Sequence, residues 1–129
     1  MMKYAVVLLL LLISATQISA VRSKTLLMAE NSKRSDVLLN QIVPLTNNIP
    51  HNGQLILVNP DSMGMEYSVF LTKGFNVLQS GEHQIRVLAC RSDFRISILT
   101  RSEFARVVDR ASVTALRLAE DERTVLPQP

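Results

Sequence analysis

The chain opens on an unbroken apolar run. In "MMKYAVVLLLLLISATQISA" a single positive charge, Lys3, precedes the stretch from Ala5 to Ile13, and polar residues ending in a small one follow. A charged start, an apolar centre and a small residue at the cut form the layout of a secretory signal peptide. The pattern predicts a signal over 1–20 with cleavage after Ala20. The run from Ala5 to Ile13 falls well short of the about 20 apolar residues that a membrane-spanning helix needs. No membrane span is therefore expected after signal cleavage.

Residues 21–52 read as a polar N-terminal segment. Within it "SDVLLNQIV" can form a short helix, which Pro44 would end. "NNIPHNG" carries the Pro and Asn-Gly signals of a tight connection. From Gly53 the pattern changes to short apolar runs broken by turn residues. "QLILVN" (Gln54–Asn59) is apolar on both alternating faces and reads as a strand buried on both sides. "EYSVFLT" (Glu66–Thr72) alternates, "FNVLQ" (Phe75–Gln79) resumes after Lys73-Gly74, and "EHQIRVLAC" (Glu82–Cys90) sets His83, Ile85, Val87 and Ala89 on one face. "FRISIL" (Phe94–Leu99) closes the series. Runs this short, joined by turns, predict an antiparallel meander.

"TRSE" then offers a capping box, Thr100 accepting from the backbone of Glu103 and Glu103 returning the bond. Phe104, Val107, Val108 and Ala111 recur at helical spacing, so a helix is expected from Arg101 to about Arg110. "SVTALRLA" suits a continuing helix or a last strand. The acidic, Pro-containing tail 120–129 is placed outside the core. The fold expected over 53–119 is mainly β: a small antiparallel β-meander or sandwich of about five to seven strands with one C-terminal helix packed on it. Leu55, Leu57, Val69, Phe70, Ile85, Val87, Phe94, Ile96, Phe104 and Val108 are its expected core.

Composition narrows the function classes. The leader carries much of the 47% hydrophobic content, so the remainder is less apolar than that figure. Fourteen basic and 11 acidic residues give +3, and losing Lys3 with the leader leaves +2. That mild balance is well short of the clustered charge of a nucleic-acid binder, and no nucleic-acid partner is expected.

There is 1 cysteine and there are 2 histidines. A cysteine nucleophile needs a histidine within hydrogen-bond reach. His83 lies seven positions before Cys90 on the same predicted strand, and an odd separation puts the two on opposite faces. His51 sits in the turn before the first strand. Two readings of Cys90 follow: a small apolar residue at a strand end, or an intermolecular disulfide, since an odd cysteine in an exported chain is a candidate for pairing with another chain. Arg86 and Arg91 near Cys90 make a candidate contact patch. The turns carrying Asn59, Pro60 and Asp61, and Ser80, Gly81 and His83, are candidate binding turns. His51, His83 and Cys90 are too few and too scattered for a metal site, and no cofactor motif is present.

The dibasic pair Lys33-Arg34 is a candidate processing site. These features predict an exported binding or assembly module, extracellular or periplasmic, with a protein partner and no catalytic activity. Two alternatives compete. One is a secreted effector or hormone-like factor released by cleavage after Arg34; the other is a thiol-dependent enzyme using Cys90.

Overall fold

A computed structural model of the chain describes residues 2–62, 73–78, 81–107 and 109–129. Its first element is one helix of 44 residues, α1 (Met2–Leu45). The predicted leader and the predicted short helix before Pro44 are thus parts of a single continuous element. Its N-terminal part stands clear of the rest: Leu8, Leu10 and Leu12 are 68%, 58% and 63% exposed. An 18-residue window of this helix is long and apolar enough to cross a membrane, and none of that window is buried. Only the far end packs, through Leu38, Leu39 and Ile42. Pro44 sits in the last turn, where its missing N–H cannot extend the ladder. The chain leaves through a 3-10 turn over Thr46–Asn48.

"QLILVN" forms β1 (Gln54–Asn59), the strand expected, and it is buried on both faces. Leu55 and Leu57 point to one side and Ile56 and Val58 to the other, as the two-residue period of a strand requires. Each such buried side chain contributes about 1.5–3 kcal/mol of transfer free energy. That two-sided burial follows from the topology. β1 lies inside a four-stranded sheet of order β2-β1-β3-β4, with β2 at Arg95–Thr100, β3 at Val113–Leu118 and β4 at Val125–Pro127. β1 runs parallel to both β2 and β3, with Gln54 opposite Arg95 and Val113, and β4 is antiparallel to β3.

Parallel neighbours need crossovers. The first carries a 3-10 turn (Gly74–Val77) and helix α2 (Gly81–Ala89); the second carries α3 (Arg101–Ala105). One face of the sheet is covered by α1, α2 and the 3-10 turn through Leu38, Ile42, Leu55, Leu57, Phe75 and Ile85. The opposite face is covered by α3 through Phe104, which packs on Ile56 and Val58. The molecule is a three-layer arrangement of helices on both faces of a mixed sheet, the pattern of α/β proteins.

This corrects the expected fold. The protein is not mainly β, not a meander and not a sandwich, and its principal helix is N-terminal. "EHQIRVLA" is a helix. Its apolar positions satisfy both periods, and the helical one wins because Gly81 and Ile85, four apart, are the buried pair. Val87, expected in the core, is 58% exposed, whereas Leu55, Leu57, Ile85, Phe94 and Phe104 are buried and Ile96 packs partly against them. "FNV" is a 3-10 turn whose Gly74 holds a φ of 59°, a left-handed conformation that favours glycine. The expected strand Glu66–Thr72, with Val69 and Phe70, lies outside the described residues, as does Val108.

The capping box is present as read: Thr100 accepts from the Glu103 backbone and Glu103 accepts from the Thr100 backbone. The helix stops at Ala105, earlier than expected. Arg110 folds back over the Phe104 ring at 4.7 Å, and Asp109 accepts from the Ala111 backbone, turning the chain into β3. The tail is part of the sheet. Gln41 of α1 stitches it down, donating to the Arg123 carbonyl at 2.6 Å and accepting from the Val125 backbone at 2.9 Å.

Candidate functional site

In an open α/β sheet, ligands bind beyond the carboxyl ends of the strands, where the chain direction of winding reverses. Here that point follows β1, flanked by β2 on one side and β3 on the other. The candidate turn residues Asn59, Pro60 and Asp61 stand at this end. Asn59 is buried, accepts from the Phe75 backbone at 3.0 Å and donates to Asn76 at 3.2 Å. It holds the 3-10 turn against the strand end. Asp61 is exposed and accepts from the Ser102 backbone at 2.9 Å, capping α3 from outside. That bond holds its carboxyl below the usual range, with the Ser102 hydroxyl adding to the effect. Both side chains tie the crossovers to β1.

The other candidate turn becomes the start of α2. Ser80 lies outside the described residues, Gly81 is buried and His83 is exposed. A Cβ on Gly81 would come within 2.6 Å of the Leu78 Cβ, so this position has no room for a side chain.

Cys90, Arg86 and Arg91 gather at the C-terminal end of α2 rather than along a strand. Cys90 takes a φ of 51° there. Its backbone N–H donates to Val87 O at 3.2 Å and that of Arg91 to Arg86 O at 3.1 Å, the paired bonds of a Schellman ending. The thiol is exposed, and its sulfur lies 3.7 Å from the Val87 carbonyl oxygen. This position favours glycine, because a Cβ in the left-handed region costs about 1–2 kcal/mol. Cys90→Gly is therefore expected to stabilise the fold by about 1 kcal/mol, read as a raised denaturation midpoint. An unchanged or lower midpoint would contradict this account of the helix end.

The two arginines are engaged within the fold. Arg86 donates to the Phe94 carbonyl at 3.1 Å and pairs with Glu82 at 2.9 Å. Arg91 grips Asp93 through Nε and Nη2, both at 2.9 Å, and donates to the carbonyls of Thr46 at 2.6 Å and Ile49 at 3.0 Å. The exposed His51 also approaches Asp93, with Nδ1 2.5 Å from Oδ2. This Arg91–Asp93–His51 cluster joins the exit of α1 to the entry of β2. The sequence reading missed it; the Arg-x-Asp spacing was its one visible sign.

The Arg91 guanidinium holds the Asp93 carboxyl down to about 2, against 3.8 for an ordinary aspartate. A carboxyl lowered on folding adds stability that is present above its unfolded value and lost as pH falls through the folded one. The fold is thus expected to weaken as pH drops from about 4 towards 2, and Asp93→Asn should remove part of that dependence, since Asp61, Glu103 and Asp121 are lowered as well. Melting curves of both proteins across that range provide the check.

Lys33 and Arg34, the candidate processing pair, lie within α1. Arg34 is half-buried and approaches Glu122 at 3.7 Å, while Lys33 is exposed. Cleavage there requires this turn of helix to open. Nearby, α1 and α2 flank a shallow cavity of about 190 Å³ lined by Ser32, Ser35, Asp36 and Gln84 among others. Among the described residues no three metal-ligating side chains converge. No family model, no curated protein and no solved structure matches this chain.

Proposed function

We propose that the chain is an exported α/β module that acts by binding another protein rather than by catalysis. The observation that carries the export half is α1: a long helix at the N-terminus whose apolar window is unburied, with a small-residue cut site after Ala20 and its buried contacts with the domain at Leu38, Leu39 and Ile42. The binding half is supported by where the reactive side chains go. His51 is spent on Asp93, and the Cys90 sulfur rests beside the carbonyl of its own helix turn.

One feature favours a second reading, a retained anchor. α1 continues without a break through Ala20 into the domain. An 18-residue helical window spans about 27 Å at 1.5 Å per residue, close to the about 30 Å hydrocarbon core of a bilayer. The intact mass of the protein recovered from its native cell, fraction by fraction, separates the two. A soluble species beginning at Val21 supports export and release. A species retaining Lys3 in the membrane fraction would replace that reading with a tethered module. A chain beginning at Ser35 would instead support the processed factor.

A further inference from the structure

The sheet has two edges, and they differ. β4 is three residues long and ends in Pro127, which has no N–H to offer a neighbour. β2 is six residues long, has no proline, and carries the β-branched side chains of Ile96, Ile98 and Thr100. Among the described residues it pairs with β1 on one side only.

The orientation of its main chain is fixed by one bond, Arg95 N–H to Gly53 O at 3.0 Å. In a strand the direction of the N–H and C=O groups alternates, so Arg95, Ser97 and Leu99 face β1 and Ile96, Ile98 and Thr100 face outward. The outward N–H of Thr100 is already given to Glu103 in the capping box at 2.7 Å. Among the described residues, what stays on offer as complete pairs is the N–H and C=O of Ile96 and of Ile98. The Ile98 side chain beside them is 39% exposed.

This set is self-complementary. We infer that β2 pairs antiparallel with β2 of a second copy of this chain, about a two-fold axis at Ser97. In that register Ile96 faces Ile98 of the second copy and Ile98 faces Ile96. Four main-chain hydrogen bonds then use the available groups and leave the capping box intact. The neighbouring register, centred on Ile98, would need the Thr100 N–H that Glu103 holds. An unprotected edge is a template for strand addition, and an isologous contact closes it after one partner. The inference deepens the binding reading and rests on it, naming a second copy as the partner.

The register gives a sharp test. At the axis the two Ser97 residues form a non-hydrogen-bonded pair, with Cα atoms about 4.5 Å apart, inside the range a disulfide can bridge. Arg95 instead lies opposite Leu99 and is far from its own counterpart. The full chain is prepared in detergent micelles with Cys90→Ser, and Ser97→Cys or Arg95→Cys is added. Under mild oxidation the Ser97→Cys chain is expected to form a covalent dimer at least about tenfold faster than the Arg95→Cys chain. Ile98→Lys added to Ser97→Cys should abolish the difference while the circular dichroism spectrum is kept. Equal rates, including association through α1 alone, or no dimer at all, would overturn the proposal. Those outcomes leave the mass measurement above free to judge the export reading separately.

Discussion

Replacing Arg91 with alanine is expected to lower the melting temperature by on the order of 10 °C. The reason is the number of separate segments that meet on one guanidinium. It accepts no bonds and gives four, two to Asp93 and one each to the carbonyls of Thr46 and Ile49, and it lies over the Phe94 ring at 5.3 Å. Truncation leaves the Ile49 carbonyl and the Asp93 carboxylate without this donor and takes one of two from the Thr46 carbonyl, and unpaired polar groups cost more than the bonds themselves were worth. Arg91→Lys keeps the charge but not the planar fork, so it should recover only a small part of the loss. If thermal unfolding of Arg91→Ala matches the parent, the cluster does not hold the exit of α1 to the sheet.

Phe75→Ala should cost about 3–5 kcal/mol, the usual range for removing a fully buried aromatic ring. Phe75 is 0% exposed, and its ring belongs to the cluster that contains Leu38 and Ile42 of α1 and Leu55 and Leu57 of β1. Its backbone N–H is also the one that Asn59 accepts. The ring thus fills the space where helix, turn and central strand converge. Denaturant unfolding of Phe75→Ala and Phe75→Leu provides the comparison. The leucine variant should retain roughly half of the lost stability, because it fills more of the cavity. Equal loss in both would mean that the ring's shape, not its volume, is what the site requires.

β1 was legible in the sequence to the residue, and so was the capping box at Thr100 and Glu103, because both are local signals. The apolar run on both faces of β1 even carried the topology. A strand buried on both sides is the mark of a parallel sheet covered by helices, and combining it with a meander was the error. α2 was lost for a related reason. "EHQIRVLA" fits an alternating pattern, and the Glu82–Arg86 spacing, which becomes an ion pair at 2.9 Å across one helical turn, was the cue that favoured a helix. The length of α1 was hidden by its Ser- and Thr-rich middle. Thr16, Ser23 and Thr25 return their hydroxyls to carbonyls of the preceding turn and so stay within the helix. Of the Arg91–Asp93–His51 cluster only the Arg-x-Asp spacing was visible, since the rest depends on how three connections converge.

The order in which the strands lie has a consequence for when this chain can fold. β1 is made first, but it pairs with β2 and with β3, which emerge from the ribosome later. Both of its neighbours in the sheet are parallel and reached by crossovers, so neither is a hairpin partner. Contacts this distant in sequence form slowly. The nascent chain therefore carries its most apolar strand without a sheet to enter until β3 is complete. During that interval the chain depends on whatever shields "LILV" from other chains.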